Sequence, residues 1–400
     1  MTPAPPFERR NLALLALSQV MLQTNAVVMV TIAGLIGLAL APRPSLATLP
    51  VALTMVATAA TMIPASLLMQ RRGRRAGFLV GTGIGVLAGA LATAAVTTHH
   101  FALFCAATML IGVYQAFGNY YRFAAAEAVA EARRSRAISW VISAGVAAAI
   151  AGPVLVRETQ DLATQTYAAT LLVTAVLALA AMALVANLRL APPSAAVLAG
   201  PARPLWQIVV QPVFLTALAC SSAGYAVMVL VMTATPLAML ACGFPVSSSA
   251  TVIQWHVLGM FVPAFFTGSL IDRVGVLPVI VAGLALLTAE IAVAVAGVSF
   301  AHFITSLVLL GVGWNFLFIG GTTLLTRAYR PAERAKTQAA HDFVNFGAMS
   351  VASLSAGGAL SVWGWEAVNK AAAPLLAVAL LAVGVYAFGR MRTARQPAPR

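Results

Sequence analysis

Two pairs of soft, metal-binding side chains stand out in this chain: Met228-x-x-x-Met232 and His256-x-x-x-Met260. Each is spaced i, i+4, so on a helix both members of a pair share one face, a turn apart. Two such faces turned toward each other offer three thioethers and one imidazole. That neutral donor set suits Cu(I), whereas Mg, Ca and Mn take oxygen ligands, and neither motif holds a carboxylate. Thioethers also bind without burying a further negative charge, and they release an ion more readily than thiolates would.

A methionine pair alone is a weak signal, because methionine is also a common packing residue and the chain has 14 of them. The histidine carries more weight. Of five histidines, His256 alone lies deep in an apolar segment with Met at i+4, and an imidazole in lipid needs a polar partner. The two pairs are also symmetric about the turn Gly243-Phe244-Pro245. In a regular antiparallel hairpin Met232 would therefore stand level with His256, and Met228 with Met260, in layers about 6 Å apart. Pro236 threatens that geometry, since a proline inside a helix bends it.

The segments that must position these residues are membrane spans. The 400 residues are 61% hydrophobic and 8% charged, with a mean hydropathy of +0.93. A soluble protein is roughly 45–50% apolar. Apolar runs long enough to cross about 30 Å of hydrocarbon fall near residues 11–40, 47–69, 76–97, 101–125, 137–156, 166–188, 207–241, 247–270, 277–298, 301–327, 340–362 and 371–389. The expected fold is an all-α integral membrane protein with twelve transmembrane helices in two six-helix halves. Residues 1–190 form the first half, 191–205 a cytoplasmic linker, and 206–400 the second half, which carries the metal motifs.

The net charge of +14 does not point to nucleic acid, because the basic residues punctuate apolar runs instead of forming one soluble face. Of 24 Lys and Arg, all but Arg43, Arg122, Arg157 and Lys370 fall on one side of the predicted spans. The positive-inside rule makes that side cytoplasmic, with both termini there. Lipid is therefore a partner. Three cysteines make no disulfide framework, and the first apolar run reads as a retained helix, not a signal peptide. No Walker sequence, zinc-protease helix or nucleophile elbow occurs, so an enzyme is not expected and no cofactor is implied.

An internal repeat supports the two halves. Ser66 to Arg75 follows the second span, and Gly268-Ser-Leu-Ile-Asp272-Arg273-Val-Gly275 follows the eighth, 202 residues later. A weaker echo pairs Glu131-Ala-Arg-Arg134 with Ala332-Glu-Arg-Ala335. The second copy resembles the G-x-L-x-D-R-x-G signature of the major facilitator superfamily. The resemblance implies a gating loop at Gly268, Asp272, Arg273 and Gly275, a cargo site between the halves, and alternating access. The first copy departs from it, with Ser66 and Gln70 where Gly and Asp are usual. Met228, Met232, His256 and Met260 further resemble the paired motif of the CcoA-like copper importers. That resemblance implies the bacterial cytoplasmic (inner) membrane, Cu(I) as transported substrate, supply of copper for cbb-type cytochrome c oxidase assembly, and copper chaperones as candidate partners.

Cys220, Met239 and Cys242 are candidate copper-relay residues on the seventh span, with plain packing as the alternative. His302 and His341 open the tenth and eleventh spans and are expected near the membrane interfaces. Glu290, Arg122 and Glu127 are the conspicuous ionisable residues within spans, the last two too far apart for an i, i+4 pair. A facilitator for an organic solute or drug, and a non-transporting copper-binding membrane partner, are the alternatives. The oligomeric state is not legible in the sequence.

Overall fold

The computed structural model describes residues 8–43, 46, 49–190 and 200–395. Among them the secondary structure is helical, with no strand. The chain forms two compact units, Met1–Ala199 and Gly200–Arg400. Of the expected linker, residues 191–199 lie outside the described residues.

The first unit contains α1 (Glu8–Leu40), α2 (Leu49–Arg72), α3 (Arg74–Thr97), α4 (Phe101–Gly118), α5 (Tyr121–Glu127), α6 (Arg134–Ser143), α7 (Gly145–Thr159) and α8 (Ala168–Ala186). The second contains α9 (Leu205–Val209), α10 (Pro212–Ala241), α11 (Val246–Phe261), α12 (Ala264–Val274), α13 (Val276–Ala296), α14 (Phe300–Leu325), α15 (Arg334–Lys370) and α16 (Ala373–Arg395). Helices are the expected answer to these apolar runs, because a helix satisfies its own backbone where no water can. Three expected spans are each built from two helices in line: α4 with α5, α6 with α7, and α11 with α12.

Among the described residues eleven helical stretches are long and apolar enough to cross a membrane. The expected span at 340–362 is the one not among them. It lies inside α15, whose first turns carry His341, Asp342 and Asn345.

Within the first unit α3 packs on α4 and α8, α2 on α4, and α1 on α7 and α8. Within the second, α14 is central, lying against α10, α11 and α13, while α15 packs along α10. Small residues allow this closeness. A Cβ added at Gly89 would come within 2.6 Å of the Ala175 backbone nitrogen.

The two copies of the loop repeat share one backbone device. Gly73 has φ 87° and ψ 159°, and Gly275 has φ 92° and ψ 163°, a region open essentially to glycine alone. Each ends one helix and caps the next, so the first copy keeps the turn although it lacks the usual Gly and Asp. Arg74, read from sequence as one of a run of topology-setting charges, is buried. Its guanidinium holds both oxygens of Glu127, at 2.7 and 3.2 Å, and lies 5.3 Å from the Tyr120 ring centre.

The second echo is also structural. Short 3-10 turns at Glu131–Arg133 and Pro331–Glu333 lead into α6 at Arg134 and α15 at Arg334. The acids have diverged, however. Glu131 is exposed, whereas Glu333 is fully buried and clasped by Arg203. The Arg203 side chain donates at 2.7 and 2.5 Å, and the backbone N–H groups of Arg203 and Arg330 add bonds of 2.8 and 2.9 Å. Lys336 Nζ donates to the Arg203 carbonyl. These bonds tie the stretch leading into α9 firmly into the second unit.

Hydrogen bonds from Arg203 hold the Glu333 carboxyl at about 2, below its ordinary range. A depressed carboxyl stabilises the fold above the unfolded pKa, near 4.5, and loses that contribution as pH falls through the folded one. Glu333→Gln should therefore cost about 3–5 kcal/mol at pH 7, as breaking a buried ion pair does. In detergent unfolding experiments the deficit relative to wild type should shrink below about pH 4.5 and vanish near pH 2.

Candidate functional site

Helix α10 runs unbroken through Pro236 to Ala241, so the kink that threatened the methionine pair does not divide it. The proline instead withholds an N–H from the carbonyl of Met232, four residues earlier. Met228 is buried and Met232 half-buried, one turn apart.

His256 on α11 is fully buried. Its Nδ1 lies 2.8 Å from the Leu307 carbonyl of α14. A carbonyl only accepts, so Nδ1 carries the proton, and in the neutral ring Nε2 keeps a lone pair. Nε2 is buried and has no hydrogen-bond partner. The imidazole is thus oriented by α14 and not by the methionine face of α10, and α11 packs far more on α14 than on α10.

Helix α14 nevertheless serves as a ruler for both motifs. On its antiparallel neighbour α10, Gly224 meets Leu317 and Tyr225 meets Trp314 and Phe318. Continuing that register brings Met228 and Met232 level with Gly313 and Leu309. On the parallel neighbour α11, His256 meets Leu307 and the Met260 carbonyl meets Asn315. Met232 therefore shares a height with His256, and Met228 with Met260, to within about one turn.

Just below Met260 the eighth span breaks at Pro263. Asn315 of α14 stitches the break: its Nδ2 donates to the Met260 carbonyl at 2.6 Å, and its Oδ1 accepts from Thr267 at 2.7 Å. Interrupted membrane helices with re-satisfied backbone groups are characteristic of transporter binding sites.

At this level four aromatic rings from three helices converge. Trp314 stacks on Phe318 with centroids 4.9 Å apart. Tyr225 meets both edge-on, at 5.4 and 5.1 Å, and Phe261 meets Trp314 at 6.1 Å. Trp314 Nε1 is buried without a hydrogen-bond partner. The group thus combines π faces with one unused donor on α14 and, two turns away, one unused acceptor on His256. Sequence reasoning missed it, although Trp314 and Phe318 are spaced i, i+4 and Trp-Asn is a conspicuous pair inside an apolar run.

The other sequence candidates are dispersed. Cys220 is buried two turns before Met228, Met239 is buried two turns beyond Met232, and Cys242 is exposed at the end of α10. Gly268 is buried in α12, while Asp272 and Arg273 are exposed next to Gly275. Among the described residues no group of three or more His, Cys, Asp and Glu side chains could hold a metal. A copper site here would thus depend on the methionines and the single imidazole.

His341, expected near a membrane interface, is enclosed by other helices. It is fully buried, with Nδ1 2.9 Å from Asp342 Oδ1 and Nε2 3.2 Å from Ser221 Oγ of α10. The signal was the polar run His341-Asp342-x-x-Asn345 at the head of an apolar span.

The family model described as Major Facilitator Superfamily matches residues 13–255 and 247–400. The chain is 40% identical over 379 residues to the riboflavin transporter RfnT of Brucella anthropi, covering 93% of this chain and 94% of that one. It is 31% identical to the uncharacterized MFS-type transporter YdeG of Bacillus subtilis, covering 88% and 85%. Its fold is similar to the E. coli fucose:proton symporter FucP, with a TM-score of 0.74 at 14% identity over 94% and 98% of the chains. These relatives are transporters and not enzymes. They bear out the superfamily signature but not the copper-importer branch that the four motif residues suggested, because a 40% identical relative is a riboflavin transporter.

The placement of His256 rests on Gly311, where an added Cβ would come 2.5 Å from the His256 carbonyl oxygen. Gly311→Ala should destabilise the detergent-solubilised protein by about 1–3 kcal/mol. Gly347→Ala, whose Cβ meets nothing within 4 Å, should not lower the unfolding temperature.

Proposed function

We propose that this chain, which belongs to the Major Facilitator Superfamily, is a secondary transporter for a flat heteroaromatic organic solute of riboflavin's class, in the bacterial cytoplasmic membrane. The observation that carries the reading is the 40% identity with the riboflavin transporter RfnT along 93% of the chain. The aromatic group on α10, α11 and α14 supports it. A fused heterocycle presents two apolar faces and an edge of alternating donors and acceptors. Tyr225, Phe261, Trp314 and Phe318 supply surfaces for the faces, and Trp314 Nε1 and His256 Nε2 are a donor and an acceptor for the edge.

A second reading, import of Cu(I) toward cbb-type oxidase assembly, draws on the shared heights of the two motif pairs and the unused Nε2 of His256. Equal accumulation of radioactive copper by wild type and by the double variant Met232→Leu, His256→Ala, at equal expression, would sink it.

The riboflavin-class reading is tested in bacterial cells unable to make riboflavin. Cells expressing the chain should accumulate labelled riboflavin. Trp314→Leu should lower kcat/KM at least tenfold, and Trp314→Phe, which keeps a ring but loses the donor, should fall between. No uptake above empty-vector cells, with the protein shown to be in the membrane, would overturn the reading.

A further inference from the structure

We infer that the buried His341–Asp342 pair, with Ser221, is a proton-binding site that couples cargo movement to an inward flow of protons. The cargo used in the test rests on the riboflavin-class reading; the proton site does not.

The geometry around the ring carries the inference. His341 Nδ1 lies 2.9 Å from Asp342 Oδ1. A carboxylate oxygen only accepts, so Nδ1 keeps its proton in both states and Nε2 is the atom that gains and loses one. Nε2 lies 3.2 Å from Ser221 Oγ, which is also 2.8 Å from the Ala217 carbonyl. The neutral ring accepts the Ser221 hydroxyl proton at Nε2. The imidazolium donates Nε2–H to the same oxygen, whose own proton then goes to the Ala217 carbonyl. Both states of the imidazole thus find complete hydrogen bonding in a fully buried place. An ion pair that only held helices together would need partners for one state.

The helices packed around the pair carry few titratable groups. Helix α10 contains no Asp, Glu, Lys, Arg or His, and its titratable groups are Cys220 and Tyr225. Helix α9 has no charged residue, and α14 has only His302 in its first turn. Helix α13 contributes Glu290, and α16 carries Tyr386 and, in its last turns, Arg390, Arg392 and Arg395. On α15 itself Arg334 and Lys336 precede the pair by more than one turn, while Glu366 and Lys370 lie several turns beyond it. In the preceding stretch Arg327 is exposed, Glu333 is bound by Arg203 and by the Arg330 backbone, and the Tyr329 hydroxyl accepts from Gln338.

Ser221 also links the pair to the aromatic group. It sits against Gly321, where an added Cβ would meet Ser221 Oγ at 2.3 Å. One turn along the same α10–α14 seam is Tyr225, 5.1 Å from Phe318. In each cycle a proton from water on one side binds Nε2, and the imidazolium is paired with Asp342 through Nδ1–H. On the other side the same proton returns to water and the Ser221 hydroxyl proton takes its place at Nε2. No electrons move.

The test compares riboflavin accumulation driven by an inside-alkaline pH gradient with gradient-free riboflavin exchange, in proteoliposomes. His341→Gln, Asp342→Asn and the milder Ser221→Ala should each lower the ratio of accumulation to exchange, the first two at least tenfold. Unchanged ratios overturn the proposal. A cargo-free arm decides if wild type moves no riboflavin, or if a variant loses exchange as well. In detergent-solubilised protein with 15N-labelled histidine, the imidazole signal missing from His341→Gln should titrate, with a midpoint that Asp342→Asn moves. A signal that does not titrate overturns the site. Failure of riboflavin transport with a titrating His341 overturns the cargo alone.

Discussion

Backbone-to-backbone closeness along α14 is the constraint on which the second unit depends. In lipid there is no hydrophobic drive to bring helices together, so dispersion contacts and buried hydrogen bonds must do it, and both need short distances. Glycines at 311 and 321 remove the side chains that would hold α11 and α10 away. The remaining contacts follow. His256 reaches the Leu307 carbonyl, Asn315 reaches the carbonyl next to the Pro263 break, and Ser221 comes to rest beside His341. These three contacts lie along the seams that α14 makes with α11 and that α15 makes with α10.

The membrane class and the repeat were legible in the sequence because each depends on local signals: runs of apolar residues, and glycines at a fixed offset. Gly73 and Gly275 could be recognised as the same turn even though the residues around Gly73 had drifted, since only the backbone angle has to be kept. The eleventh span reads as an apolar run in the sequence, although its first turns spend their polarity on a buried network. Arg74 shows the complementary failure. A run of arginines looks alike in sequence, yet one of them has a carboxylate 53 residues away and is buried, while its neighbours are exposed.

The candidate site was legible in part and for an instructive reason. Spacing i, i+4 identifies side chains on one face of a helix but does not say which neighbour that face meets. The expectation took consecutive spans to be partners, so His256 was set against Met232. Helix α11 instead runs beside α14, and the heights agree while the closest partner differs. The aromatic group shows the same limit from the other direction. Its four rings come from three helices separated by up to 93 positions, Tyr225 to Phe318, and no local pattern joins them.

The clasp at Arg203 has a consequence for how the chain is made. Arg203 and Glu333 are 130 residues apart in sequence. At a synthesis rate of about 5–20 residues per second, Arg203 waits on the order of ten seconds before its carboxylate exists. All of α10 to α14 are synthesised in that interval. The Arg203–Glu333 bond is therefore a late latch, closed only after the helices that build the aromatic group have been made, and its closure marks the point at which the second unit has its floor.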